Sequence, residues 1–214
     1  MKTVSALTVS LLTIVCSTGL SQSLNLGLGG GPAYVEHSPG GLYTNEIARG
    51  GLGFGAAYSL GAKGILSFPE SPFSLVGRVS YLSMSGGEYT DGTGIYNTGG
   101  GGKIETNLRV LSLGMGSEWK MLRGPFSPYV GAQLFVTASS RLSYKVTNTR
   151  GTNEYITWQG AKLGVGLDVG ARMSLTSSLH LDISGNYSYY NPMETYQLSF
   201  PTLGVSAQVL FTLF

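Results

Sequence analysis

The chain has 214 residues, enough for one domain, and only 11% of them are charged, against roughly 25% in soluble globular domains. A formal charge of +2 and the lack of a basic run argue against a nucleic-acid-binding protein, while 42% hydrophobic residues exclude a disordered chain. The 33 glycines and 13 tyrosines are typical of tightly curved strands with aromatic belts.

The first segment has the pattern of a secretory signal. Lys2 precedes an apolar stretch over residues 6–15, and small and polar residues follow, which is the order of a charged end, a short core and a cleavage region. The apolar core is too short to cross a bilayer as a helix. We predict cleavage after Ser21, which separates a signal peptide (1–21) from a single mature domain (22–214).

Cys16 is the only cysteine, so a disulfide within the chain is excluded. It is either an ordinary residue of the signal core or a lipoprotein cysteine that is acylated after cleavage. Val15, the residue before it, is bulkier than the small residue that a lipoprotein signal requires, and this favours the first interpretation.

After the signal, apolar and polar residues alternate, which predicts strands with two different faces. Eight such segments follow in chain order: 24–34, 51–60, 73–81, 104–119, 129–147, 158–174, 179–189 and 203–213. In the fifth, the alternation places Val130 to Val146 on one apolar face. In the fourth segment the apolar track shifts by one residue: Leu108 and Val110 lie on one face, and Leu111 and Leu113 lie on the other. This shift predicts a β-bulge near Val110.

The connections between these segments alternate in length. Four are long: 36–49, 86–103, 147–157 and 191–202. Three are shorter: 61–72, 120–127 and 174–178. Long loops at one end and short turns at the other are typical of outer-membrane barrels, with both termini on the periplasmic side.

Charged residues lie within the strands, on the track opposite the aliphatic residues. We expect seven of them in the barrel lumen: Arg78, Arg109, Glu118, Lys162, Asp168, Arg172 and Asp182. A soluble β-fold would place its apolar face inside, whereas a membrane barrel turns that face to lipid. Aromatic residues near strand ends predict interfacial girdles: Tyr34, Phe73, Tyr81, Trp119, Tyr129, Tyr144, Trp158, Tyr187 and Tyr189.

Across residues 22–214 these patterns resemble the small eight-stranded outer-membrane barrels of the OmpA membrane-domain and OmpX type. The resemblance implies an all-β, antiparallel, up-and-down transmembrane barrel in the bacterial outer membrane, in contact with lipid and lipopolysaccharide. It also implies that Phe214 is an assembly signal, because a terminal aromatic residue is read by the barrel-assembly machinery. Phe214 is out of phase with the apolar track that ends at Leu213.

Two interpretations of the lumen charges are open: an ion pathway, or salt bridges that fill the interior. An eight-stranded barrel is just wide enough for side chains to fill, which favours the packed interior. His180, Asp182 and Ser184 share a face but lie about 7 Å apart along the strand, too far for direct hydrogen bonds. We therefore expect no catalytic site. One cysteine and two histidines predict no metal site, and the glycine runs are not phosphate loops, so no cofactor is expected.

The loops are the expected place for specificity. Arg141, Lys145 and Arg150 lie near the predicted outer rim, where lipopolysaccharide phosphates would be found. The sequence thus favours a barrel with a structural, adhesion or surface-interaction role and a packed polar lumen. A narrow porin-like channel for small solutes and a lipid-modifying enzyme are the alternatives.

Overall fold

The computed structural model describes residues 22–35, 56–91, 102–148, 151–159, 161–190 and 200–214. These residues form an all-β structure of nine strands. The strands are β1 (Ser23–Val35), β2 (Ala56–Ser67), β3 (Phe73–Asp91), β4 (Gly102–Lys120), β5 (Phe126–Asn148), β6 (Gly151–Gln159), β7 (Lys162–Ser174), β8 (Leu179–Tyr190) and β9 (Phe200–Thr212). No helix in this part of the chain is long and apolar enough to cross a membrane. The predicted signal peptide lies outside the described residues.

The strands close into a ring through antiparallel pairing. Each of β1 to β4 pairs with the next strand along the chain. Beyond these, β5 pairs with β7, β7 with β8 and β8 with β9. The ring is closed by β1 and β9, where Leu26 lies opposite Phe211 and Tyr34 opposite Leu203. Backbone groups along these edges are therefore paired, as hydrocarbon surroundings would require.

The sixth predicted strand, 158–174, is divided between the end of β6 and the whole of β7. One part of β5, Ser140–Asn148, pairs with β6, and another part, Phe126–Thr137, pairs with β7. The predicted loop 147–157 is therefore mostly a hairpin between β5 and β6. For the same reason nine strands are described where eight alternating segments were predicted.

Pairing is continuous along β4, so the predicted β-bulge near Val110 is wrong. Val110 lies opposite Leu82 and Leu111 opposite Tyr81 without interruption. The irregularities lie in the partner strands, where Gly86 of β3 and Ala138 of β5 have no counterpart in β4. Leu108 and Val110 looked out of phase because they are apolar residues that point inward, at 0% and 1% exposure.

The extra residue Ala138 changes which side chains of β5 face inward. Phe135 and Thr137 are buried before it, and Leu142 and Val146 are buried after it. Val130 to Val146 therefore do not share one face, contrary to the prediction. The bulge turns the apolar residues of the second half of β5 into the ring.

The outer side of the ring is apolar and the inner side is largely polar, which is the reverse of a soluble β-fold. Outward positions are aliphatic and exposed in the isolated chain, as at Leu28 (71%) and Met115 (70%). Inward positions include many buried polar side chains, among them Asn25, Ser74, Ser184, Ser206 and Gln208. The interior also holds an apolar cluster toward the long-loop end: Val35, Leu82, Met84, Leu108, Val110, Phe135, Leu142, Tyr190 and Phe200.

Two inward-facing glycines of β7 make room for large aromatic side chains of β5. A Cβ atom at Gly164 would overlap the Phe135 ring, and one at Gly170 would lie 2.7 Å from the Tyr129 hydroxyl. The pairing of small with large residues across the interior lets both rings lie inside the ring of strands.

Candidate functional site: the charged interior

Four charged side chains from four strands meet inside the ring; we call them the quartet. They are Lys63 of β2, Glu118 of β4, Arg172 of β7 and Asp182 of β8. Each occupies an inward position of its strand, and each side chain is at most 8% exposed. The strand alternation therefore delivers two cations and two carboxylates to one buried place.

Each quartet cation contacts both carboxylates. Lys63 Nζ contacts Glu118 Oε1 and lies 3.0 Å from Asp182 Oδ2. Arg172 Nη2 lies 2.9 Å from Glu118 Oε2 and 3.0 Å from Asp182 Oδ2. The desolvation cost of burying four charges is offset only because all four are paired in this way.

Tyr129 is the centre around which the quartet is arranged. Its hydroxyl donates to Asp182 Oδ1 at 2.6 Å and accepts from Lys63 Nζ at 3.2 Å. Its ring centroid lies 4.8 Å from Lys63 Nζ and 5.3 Å from the Arg172 guanidinium carbon. The Tyr129 ring thus offers an aromatic face to both cations, and its hydroxyl group holds the Asp182 carboxylate in place.

A second ion pair lies close to this network. Arg78 Nη1 of β3 donates to Asp168 Oδ1 of β7 at 3.1 Å, with side-chain exposures of 12% and 6%. With the quartet, this makes three cations and three carboxylates. The paired charges cancel, so this network gives the interior no net charge with which to attract an ion.

The structure places the predicted lumen residues unequally. It brings together Glu118, Arg172 and Asp182 and pairs Arg78 with Asp168, but Arg109 is exposed on the outward track, between the buried Leu108 and Val110. Its placement in the lumen was wrong because the assumed phase change in β4 does not occur. Lys162 is half-buried, and its backbone N–H donates to Thr137 Oγ1.

Two central residues were missed or misplaced by the sequence analysis. Lys63 was assigned to the connection 61–72, but β2 continues to Ser67. The outward track Tyr58–Leu60–Ala62–Gly64–Leu66 carried the signal for this extension. Tyr129 was assigned to an aromatic girdle, whereas it is 1% exposed inside the ring. Its neighbour Val130 occupies the outward track there.

The other girdle residues are described in part. Tyr34, Phe73, Tyr81, Trp119 and Tyr187 are exposed on the outer face, and Tyr189 is half-buried. The side chains of Tyr144 and Trp158 lie outside what the structure describes.

His180, which was considered for catalysis, binds neighbouring hydroxyl groups. Its Nδ1 lies 3.0 Å from Ser174 Oγ and its Nε2 lies 2.9 Å from Thr212 Oγ1. Asp182 belongs to the quartet, and Ser184 Oγ lies 3.0 Å from Ser206 Oγ. The three residues do not form a nucleophile, base and acid relay. No cluster of metal-binding side chains occurs among the described residues.

Basic residues occupy the outer face toward the long-loop end. Arg141 of β5 lies directly opposite Arg109 of β4. Lys145, nearly half-exposed, lies 3.8 Å from Glu105 Oε2. Arg150 lies outside the described residues.

The last residues of the chain pair with β1. The carbonyl of Phe214 accepts from Leu24 N–H at 3.1 Å, and Leu213 N–H donates to the Leu24 carbonyl at 2.9 Å. The Phe214 side chain itself is exposed.

Comparison with known proteins identifies the fold. Neisserial surface protein A is 17% identical, with a TM-score of 0.50 over 91% of this chain and 99% of that one. A major outer membrane protein from Thermus thermophilus is 14% identical, with a TM-score of 0.51 over 89% of this chain and 100% of that one. These two likenesses show that the chain has the fold of outer-membrane β-barrel proteins.

A third solved structure is more distant. Ail, the attachment invasion locus protein of Yersinia pestis, is 12% identical, with a TM-score of 0.44 over 89% of this chain and 97% of that one. No protein-family model matches the sequence, and no curated protein is significantly similar to it.

Proposed function

We propose that the protein is an eight-stranded up-and-down β-barrel of the bacterial outer membrane, with a packed interior and a structural or surface-interaction role. In this proposal β6 belongs to a hairpin that extends from β5, and the other eight strands form the wall. The observation that carries the proposal is the reversed polarity, with aliphatic side chains outside and a neutral network of buried ion pairs inside. Water-exposed aliphatic belts would be unfavourable, and lipid satisfies them.

The packed interior favours this role over the alternative of a narrow channel. The apolar cluster lies toward the long-loop end and the quartet toward the short turns. The cavity bounded by Arg78 and Phe135 has a volume of about 60 Å³. The buried side chains of the cluster and the quartet therefore narrow the path that an ion would follow.

Planar-bilayer recording tests the packed interior. We expect the reconstituted protein to show no stable open level above the baseline, since the quartet and the apolar cluster block the lumen. A large, long-lived conductance would contradict the proposal and favour the channel.

A lipid-modifying enzyme is the second alternative. The engagement of His180 by Ser174 and Thr212, and of Asp182 by the quartet, supports a role without catalysis. Altered lipid A in a strain that overproduces the protein would favour the enzyme instead.

Lipopolysaccharide is the partner we propose for the outer face, at Arg141, Lys145 and Arg150. Arg109 extends this set because it lies opposite Arg141, which places two guanidinium groups side by side on the outer face. Arginine forms charge-assisted hydrogen bonds with the phosphate groups of a lipid headgroup. By the same resemblance to small barrels, Phe214 would be read by the assembly machinery.

A further inference from the structure

A cation-lined cavity opens at the end of the ring that carries the short turns and residues 22 and 214. Its volume is about 370 Å³; we call it the short-turn mouth. Lys120 at the end of β4, Arg123 in the following turn, Arg172 of β7 and His180 of β8 line it. Serine and threonine hydroxyls complete the wall. Three segments of the chain, residues 120–123, β7 and β8, therefore place basic side chains around one space.

The mouth differs from the deeper interior in its charge balance. Among its lining residues in the described part of the chain, none is acidic. The charge of Arg172 is compensated by the quartet, but Lys120 and Arg123 add two positive charges. Arg123 Nη2 donates to the backbone carbonyl of Glu70 at 2.6 Å. Because a carbonyl is neutral, this contact does not compensate the charge of the guanidinium.

Lys120 has more N–H donors than the one that it gives to Ser67. Lys120 has three N–H groups, of which one donates to Ser67 Oγ at 2.9 Å. Arg172 also lines the mouth, although it is only 7% exposed. An anion in the mouth would accept from the remaining N–H groups of Lys120.

We infer that the short-turn mouth binds a soluble oxyanion of the phosphate class. Lysine and arginine form charge-assisted hydrogen bonds with such oxygens, and hydroxyl groups supply the remaining donors. Lys120, Ser67 and Arg172 occupy inward positions, so the ligand comes from water and not from the surrounding lipid. The inference rests on the proposed function only for placing the mouth on the periplasmic side.

Calorimetric titration of inorganic phosphate into the purified protein, in zwitterionic micelles at low ionic strength, measures the site. The Lys120→Gln/Arg123→Gln variant should bind phosphate at least about tenfold more weakly, because two charge-assisted contacts are lost. The matched control is Lys120→Arg/Arg123→Lys, which keeps both positive charges at the mouth and should retain most of the phosphate affinity.

Three results would overturn the site: no phosphate binding by the unaltered protein, an equal loss in both variants, or competition from phosphatidylglycerol added to the micelles. The last would identify a lipid headgroup as the ligand. Gel migration of unboiled samples reports the folded barrel separately, so failure of the site is distinguishable from failure of the fold. If the double variant does not fold, Arg123→Gln alone, in an exposed turn, must still weaken phosphate binding.

Discussion

Replacing Asp182 with asparagine should lower the free energy of unfolding by about 3–5 kcal/mol, the usual cost of breaking one side of a buried ion pair. Asp182 accepts from Lys63, Arg172 and Tyr129. Without its charge, two buried cations share the single carboxylate of Glu118. Denaturant unfolding in lipid vesicles, followed by tryptophan fluorescence, measures the change.

Two further variants separate charge balance from general damage. Glu105→Gln removes a carboxylate whose exposed pair with Lys145 spans 3.8 Å, and it should cost about 1 kcal/mol or less. Lys63→Met/Asp182→Leu removes one cation and one carboxylate together and should cost less than the sum of the two single substitutions. A loss in Asp182→Asn no larger than in Glu105→Gln would show that the quartet does not hold the strands together.

Phe135→Ala should cost about 3–5 kcal/mol, because it opens a cavity in the apolar cluster. The Phe135 ring lies over Gly164 and contacts Tyr190 edge-on, with centroids 4.8 Å apart. Tyr190 in turn stacks on Phe200 at 4.6 Å. Truncation of Phe135 therefore removes contacts from several strands at once, and the same unfolding assay measures it.

Leu134→Ala is the matched control for Phe135→Ala, since Leu134 is the preceding residue and is exposed on the outer face. Lipid can fill the space of the lost side chain there, so the expected cost is much smaller. An equal or larger cost for Leu134→Ala would mean that the inner and outer faces of β5 have been exchanged.

Alternation in the sequence was sufficient to predict every described strand except β6, and most of their faces, because a period of two follows directly from strand geometry. It failed where an inward residue is apolar. Leu108 and Val110 were read as a change of phase, and Arg109 was consequently turned inward. On β5, Ala138 reverses the faces without any mark in the pattern, since the residues on both sides of it alternate.

The quartet itself could not be predicted, because alternation gives the face of a residue but not its partners across the interior. Lys63 and Asp182 are 119 positions apart in the chain, and their contact depends on the register of every strand pair between them. Tyr129 was misplaced for a related reason. An aromatic residue near a strand end can lie in an outer girdle or in the interior. Tyr129 lies in the interior because Gly170, which has no side chain, leaves space for its ring.

Gel migration of the protein from isolated outer membranes tests whether the chain is a closed barrel in that membrane. Closed outer-membrane barrels resist detergent until they are heated, because every strand edge is paired. We expect the protein in the outer-membrane fraction, and we expect its band to shift between unboiled and boiled samples. A single unshifted band in the soluble fraction would contradict it.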